Sequence, residues 1–342
     1  MKQSVVHRYR FDPEQRHKLS PGERVKDPET ERLAMEKGVK ASSPGTLVRI
    51  DPVAGNLDLK RGRRSTASHP RHLIPGDPYS TSDQRAALLR LARSVVEHGI
   101  DGPGPYRCVR DLLLRRPPRL RGRVDQEGLL APGEAAEVGA VRLATALNQG
   151  CLAIQGPPGS GKTSTAAKMV VELAASGHTV GITANSHAVI SHLLEAVLTE
   201  SRLQGLELRA FQKADPGQGA TDPGVTRRGD VAELLVDLHD GVKVVGGTAW
   251  VFSRPELDRR LDYLVVDEAG QLSLANVCAL ATSARNLVLV GDPRQLSQPS
   301  QGTHPEGAGV SALEHVLEDA DTMPPTLGVF LDHTHRLHPA IW

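Results

Sequence analysis

A glycine-rich stretch that ends in a lysine and a threonine is the part of this sequence most suited to chemistry. Residues 156–163 read Gly-Pro-Pro-Gly-Ser-Gly-Lys-Thr, which fits the spacing of a phosphate-binding loop. Glycines let backbone N–H groups surround phosphate oxygens, and a helix N-terminus behind the loop adds partial positive charge. We expect Lys162 to reach the β- and γ-phosphates of ATP and the Thr163 hydroxyl to hold Mg²⁺. The predicted nucleotide-binding residues here are Gly156, Pro157, Pro158, Gly159, Ser160, Gly161, Lys162, Thr163 and Ser164.

Two consecutive acids close an apolar run about a hundred residues later. Residues 263–271 read Tyr-Leu-Val-Val-Asp-Glu-Ala-Gly-Gln. In a parallel sheet such a strand ends on the same edge as the phosphate loop. Asp267 can then hold Mg²⁺, and Glu268 can orient and deprotonate an attacking water. A strand that ends in Asp-Glu is common by itself, and its pairing with a phosphate loop gives it meaning.

A second apolar run leads to a glutamine near the same place. Residues 286–290 are followed by Gly-Asp-Pro-Arg-Gln-Leu at 291–296. We expect Gln295 to lie beside the γ-phosphate and to sense its presence.

Alternating strand and helix patterns are predicted from residue 151 onward, as in a parallel sheet covered by helices. Strands are predicted at 151–155, 179–184, 207–212, 242–246, 263–267 and 286–291, and residues 214–229 are predicted to be a loop. Upstream, residues 1–80 are predicted to be a small β-rich module, with a hairpin loop at 51–55. Helices are predicted at about 82–98, 106–116 and 135–147.

Charge is divided unevenly between the two halves of the chain. Residues 1–150 carry 27 Lys and Arg against 18 Asp and Glu, and residues 151–342 carry 14 against 22. A basic first half suggests a polyanionic partner, with an ordinary arginine-rich surface as the alternative. The basic cluster at 60–64 supplies three candidate contacts to the phosphates of single-stranded nucleic acid, Arg61, Arg63 and Arg64.

Three widely spaced cysteines and the lack of any apolar run long enough to cross a bilayer predict a cytoplasmic protein without a membrane partner. His333, His335 and His338 are close in sequence, but their spacing does not favour a metal site.

Taken together, the phosphate loop, Asp-Glu-Ala-Gly-Gln and Gly-Asp-Pro-Arg-Gln-Leu resemble the motifs of superfamily 1 helicases. The chain is most similar to the branch that includes the nonsense-decay and Okazaki-flap helicases. The resemblance implies a RecA-like P-loop α/β fold, Mg-ATP hydrolysis, and 5′-to-3′ movement on single-stranded nucleic acid, DNA more than RNA. Residues 183–189 resemble motif Ia and 247–249 resemble motif Ic, which implies strand contacts by Asn185, Ser186, His187 and Thr248.

Further roles follow from the same resemblance. Gln271, in the acidic motif, is assigned to the nucleotide site. Residues 332–339 resemble motif IV, in which Arg336 would approach the γ-phosphate from a second motor lobe. We therefore expect a β-barrel over 1–80, a helical stalk over 81–130, a RecA-like ATPase lobe over 131–328, and the start of a truncated second lobe over 329–342. The adenine-contacting glutamine of the family is not evident, and Gln126 and Gln149 are candidates by position only.

Residues 105–107 and 113–118 resemble bacterial proteins in which such a helicase follows a RecB-like nuclease. A nuclease module in the intact polypeptide is therefore a further expectation. With most of a second lobe absent, this chain alone should bind nucleotide, hydrolyse it slowly and not translocate. Two other functions stay open: a nucleotide-dependent nucleic-acid-binding switch without motor activity, and a small-molecule kinase, which would not need the two later motifs.

Overall fold

The computed structural model describes residues 4–15, 17, 19–22, 24–39, 41–65, 67–76, 80–122, 128–214, 218–295 and 307–334. It divides into two compact units, Met1–Ser80 and Thr81–Trp342. None of the described helices is long and apolar enough to cross a membrane.

The first unit is an antiparallel sheet of five strands in the order β1-β4-β3-β2-β5. Its elements are β1 (Ser4–Arg10), β2 (Arg24–Lys26), α1 (Pro28–Glu36), β3 (Gly45–Asp51), β4 (Asn56–Gly62) and β5 (Ile74–Pro75). Val25, Leu47, Leu57 and Leu59 form its small core. The expected barrel is thus observed as a sheet with two edges, because no pairing joins β1 to β5 among the described residues.

The second unit contains eight strands, all paired in parallel, in the order β13-β6-β12-β11-β7-β10-β8-β9. The strands are β6 (Cys151–Gln155), β7 (Val180–Thr183), β8 (Ala210–Lys213), β9 (Val225–Arg228), β10 (Val244–Gly246), β11 (Leu261–Val266), β12 (Ala284–Gly291) and β13 (Gly328–Phe330). The predicted α/β fold with a parallel sheet is confirmed.

Helices cover both faces of this sheet. They are α2 (Ser82–His98), α3 (Arg107–Leu113), α4 (Ala136–Ala146), α5 (Lys162–Ala175), α6 (His187–Leu203), α7 (Val231–His239), α8 (Ala249–Phe252), α9 (Leu274–Leu280) and α10 (Ala312–Leu317). The apolar residues of α4, α5 and α6 pack in one core cluster, and those of the other six helices pack in the second. Successive β11 residues alternate between the clusters, Val265 in one and Val266 in the other, as expected of a strand buried on both faces.

Three boundaries differ from the sequence predictions. Within the expected loop at 214–229, residues 225–228 form β9, an edge strand paired with β8. Helices α2 and α3 are not a separate stalk, because Leu91, Cys108 and Val109 are buried in the core of the α/β unit. The sheet also extends past the expected lobe boundary at 328, since β13 pairs with β6.

Candidate nucleotide site

The phosphate-binding loop joins β6 to α5 at the carboxyl edge of the parallel sheet. Gly159 and Gly161 have φ angles of +82° and +80°, in the left-handed region that favours glycine. A Cβ at Gly156 would lie 2.3 Å from Ser160 Oγ. The loop therefore needs glycine at these three positions in order to keep its backbone turned inward.

Polar groups of the loop have capacity left for an anion. Lys162 Nζ donates to the carbonyl oxygens of Gly156 at 2.8 Å and Pro157 at 3.1 Å. Ser160 Oγ is buried and has no hydrogen-bond partner among the described residues. Thr163, partly buried, and Ser164, exposed, lie in the first turn of α5. A phosphate group in the loop would give both Ser160 and Lys162 a charged acceptor.

Asp267 follows the last residue of β11 and is buried. Burial raises the pKa of this carboxyl to about 6, whereas the N–H of Glu268 and the charge of Lys162 lower it. Glu268 N donates to Asp267 Oδ1 at 2.9 Å. A buried carboxylate that interacts electrostatically with Lys162 is suited to a divalent cation, because Mg²⁺ prefers negatively charged oxygen ligands. Glu268 itself is partly exposed and has a φ of +53°.

Gln295 follows the end of β12, the strand next to β6. Gly156 N donates to Gly291 O at 3.0 Å, so the start of the phosphate loop is hydrogen-bonded to the end of β12. The buried Asp292 carboxylate accepts from Arg294 N at 3.0 Å, and Asp292 O accepts from Gln295 N at 3.3 Å. These bonds form a tight turn after β12, in which Gln295 is partly buried. Leu296 lies outside the described residues.

The strand order determines which of the candidate loops are neighbours along the carboxyl edge, and this spatial order is as follows. It runs from the phosphate loop after β6, through Gln295 after β12 and the acids after β11, to the segments after β7 and β10. Neighbouring strands lie about 4.8 Å apart. One strand, β12, therefore separates the phosphate loop from the two acids, and all three strands end on the same edge of the sheet.

The residues predicted to contact the nucleic-acid strand follow β7 and β10. Ser186 is the N-cap of α6, and its Oγ accepts from Val189 N at 3.3 Å. His187 begins α6 and is partly buried. Thr248, also partly buried, precedes α8 without capping it through its side chain. Because β7 pairs with β10, these residues are neighbours along the carboxyl edge.

A connection that sequence reasoning missed joins the β7 segment to the acids. Asn185 Nδ2 donates to Gln271 Oε1, and Gln271 Nε2 donates to Glu268 Oε2 at 3.4 Å. Asn185, predicted to contact nucleic acid, thus contacts Gln271 and is linked through it to Glu268. The spacing of Glu268 and Gln271, three residues apart, was the one indication available from the sequence.

Arg61 is buried rather than presented to a partner. Its guanidinium donates to Ala67 O and to Ser68 O, the latter at 3.1 Å, and lies 3.1 Å from His69 Nδ1. The predicted contact at Arg61 is therefore wrong in this structure: the side chain ties its strand to the segment that follows. Arg63 and Arg64 are exposed on the turn after β4.

Other candidates fall outside what is described. Arg336, His335, His338 and Gln126 lie outside the described residues. Gln149 lies before β6, at the edge opposite the phosphate loop. Among the described residues, no group of three or more histidine, cysteine, aspartate or glutamate side chains could hold a metal ion.

The C-terminal part of the sheet is attached directly to the strand that leads into the phosphate loop. Gln155 O accepts from Leu331 N at 2.8 Å. The buried Gln155 side chain accepts from Met323 N at 2.6 Å and donates to Asp321 O at 3.3 Å. Gln155, the residue before Gly156, thus binds the 321–331 segment through both its backbone and its side chain.

Comparison with known proteins finds similarity in the same region. A family profile described as an AAA domain matches residues 135–315. The human "DNA replication ATP-dependent helicase/nuclease DNA2" is 32% identical over 147 residues, 42% of this chain and 14% of the human protein. The Arabidopsis thaliana "DNA replication ATP-dependent helicase/nuclease JHS1" is 28% identical over 170 residues, 48% of this chain and 12% of that protein. The match thus spans a small part of each relative's length.

Among solved structures, one described as arterivirus nonstructural protein 10 (helicase) with DNA is similar at a TM-score of 0.37 and 16% identity. That match covers 60% of this chain and 39% of the viral chain.

Proposed function

Since the chain belongs to the AAA domain family, whose profile covers residues 135–315, we propose that it is the ATP-hydrolysing core of a superfamily 1 helicase. The observation that carries the proposal is the carboxyl edge of the parallel sheet. There the phosphate loop, buried Asp267, Glu268 and Gln295 lie on adjacent strand ends.

Nucleotide binding is assigned to the phosphate loop. Its backbone N–H groups and Lys162 hold the phosphates, and the orphaned Ser160 hydroxyl gains an acceptor when they arrive. Thr163 and Asp267 are the residues that would hold Mg²⁺, which neutralises charge on the β- and γ-phosphates when bound. Gln271 belongs to this site through its contact with Glu268.

Hydrolysis is in-line attack of water on the γ-phosphate. Glu268 accepts the water's proton, because its carboxylate is partly exposed beside the buried Asp267. Gln295 senses the γ-phosphate from the neighbouring strand end. Arg336 completes the charge stabilisation from the following lobe, as the motif IV resemblance implies.

The proposed polymer partner is single-stranded DNA, along which the motor moves 5′ to 3′. Two relatives are named as DNA replication helicase/nucleases, which supports DNA and a nuclease module in the intact polypeptide. Ser186, His187 and Thr248, after the adjacent strands β7 and β10, form the proposed contact surface of the second unit. Exposed Arg63 and Arg64 are proposed as separate nucleic-acid contacts of the first unit. Three free cysteines fit a reducing compartment such as the cytoplasm.

The nucleotide assignment is tested with Lys162→Ala. Loss of a charge-assisted hydrogen bond to phosphate should weaken binding of a fluorescent ADP by about 10- to 100-fold and abolish phosphate release. Lys168→Ala is the matched control, because Lys168 is exposed on the same helix. Unchanged affinity in Lys162→Ala would contradict the proposal.

A second measurement separates a motor from a binding switch. Single-stranded oligothymidylate should raise Lys162-dependent phosphate release several-fold if nucleic acid is coupled to hydrolysis. Nucleotide-dependent DNA binding without any such rise would identify a switch instead.

A further inference from the structure

A chain of side-chain hydrogen bonds crosses from the end of β7 to the proposed base. Asn185 Nδ2 donates to Gln271 Oε1, and Gln271 Nε2 donates to Glu268 Oε2 at 3.4 Å. Each amide has its N–H group pointing toward Glu268, so the chain has a single direction and ends on the carboxylate.

The backbone under this chain is held in place. β7 and β11 are adjacent, and Asp267 N donates to Thr183 O at 2.8 Å. Asn185 lies just beyond β7, and Gln271 lies in the turn after β11, where Gln271 N donates to Glu268 O at 2.8 Å. The adjacent strands and this turn together bring the two side chains into contact.

Asn185 is poorly placed to contact a polymer. The residue is partly buried, and its Oδ1 atom is buried without a hydrogen-bond partner among the described residues. Both ends of the amide thus point into the protein. An unsatisfied buried oxygen costs stability.

We propose that Asn185 is a positioning residue of the hydrolytic centre, which acts through Gln271 to orient the Glu268 carboxylate. The proposal rests on the function proposed above. It replaces the nucleic-acid contact that the motif Ia resemblance implied for Asn185, and it makes Gln271 a link between the β7 segment and the proposed base.

The test compares Asn185→Ala, the isosteric Asn185→Asp, Gln271→Ala and the double variant Asn185→Ala/Gln271→Ala. Binding of Mg-ADP with aluminium fluoride, a mimic of the transferring phosphoryl group, should weaken about tenfold in each, as expected for one lost hydrogen bond. In the two Asn185 single variants, binding of ADP alone and of oligothymidylate should be unchanged. Phosphate release under single-turnover conditions should fall by a similar factor with no change in KM.

The double variant should be no worse than Gln271→Ala alone, because both changes break the same chain. Asn148→Ala is the matched control, since Asn148 is exposed before β6. Thermal melting of every variant separates misfolding from a positioning defect.

Two outcomes would overturn the proposal. Weaker oligothymidylate binding with unchanged fluoride-complex affinity would return Asn185 to the strand surface. Additive losses in the double variant would show that Asn185 and Gln271 act separately. Failure of the proposed function is distinct, since the wild-type chain would then lack nucleotide binding that depends on Lys162.

Discussion

Glu268 occupies a backbone conformation that side chains rarely adopt. Its φ of +53° costs a non-glycine residue about 1–2 kcal/mol. The residues on either side enforce it: Asp267 N donates to Thr183 O at 2.8 Å, and Ala269 N donates to Val290 O at 2.9 Å. With both neighbours bonded to adjacent strands, Glu268 must turn between them. Strain of this kind is typical of functional positions.

Replacing Glu268 by glutamine should separate binding from hydrolysis. Glu268→Gln keeps the size of the side chain but removes the proposed base, so phosphate release should fall about 100-fold or more. Affinity for ADP should not change, because the phosphate loop is untouched. Turnover and fluorescent-ADP titration measure the two effects, and a variant with wild-type turnover would exclude Glu268 as the base.

Residue types and spacing predicted the phosphate loop and the acids, because each needs a fixed local pattern. They did not predict the partners of Asn185 or Arg61. Asn185 is 86 positions from Gln271 in the chain, and only strand order brings the two together. Arg61 belongs to a basic cluster in sequence, but its position on β4 turns the side chain inward.

The turn before α4 is fixed by an ion pair with two parallel hydrogen bonds. Arg142 Nε and Nη2 donate to the two carboxylate oxygens of Glu134 at 2.7 and 2.6 Å. The same carboxylate accepts from Ala131 N at 2.9 Å. The hydrogen bond from Arg142 lowers the pKa of Glu134 to about 2.

This pair should make a pH-dependent contribution to stability. A carboxyl with a lowered folded pKa stabilises fully above its unfolded value, 4.5, and loses that contribution as pH falls toward 2. Glu134→Gln should therefore reduce the free energy of unfolding by about 1 kcal/mol at pH 7. The difference from wild type should narrow below pH 4.5. Urea melts at several pH values measure it, with exposed Glu172→Gln as control; a difference constant with pH would contradict the assignment.

Element boundaries were predictable where apolar runs are long and buried on both faces, as at β11 and β12. β9 was missed because Val225–Arg228 holds one buried residue in a stretch that follows glycines and prolines. The roles of α2 and α3 were also missed, since an amphipathic pattern shows that a helix buries one face without showing against what.

Across the whole molecule, all three cysteines lie in the core of the α/β unit. Cys108, Cys151 and Cys278 are buried, and they belong to one core cluster. Burial raises the pKa of Cys108 and of Cys278 to about 12 and raises that of Cys151 as well. Because the thiolate is the reactive form, these groups are inert in the folded chain.

The thiols should therefore report global unfolding. Ellman's reagent at pH 8 should find no rapidly reacting thiol in the native protein and all three after denaturation in guanidinium. Bound Mg-ADP should slow the residual reaction further, since a ligand of the folded state lowers the unfolded population. Rapid stoichiometric labelling of the native chain would show that this core opens locally.

The attachment of β13 to β6 has a mechanical consequence. Gln155 bonds through its backbone to Leu331 and through its side chain to Met323 and Asp321, and Gly156 is the next residue. Force applied to the chain after Phe330 would be transmitted through these few hydrogen bonds directly to the residue that precedes the phosphate loop. Force on that segment and affinity for the nucleotide would then be coupled through the pairing of β6 with β13.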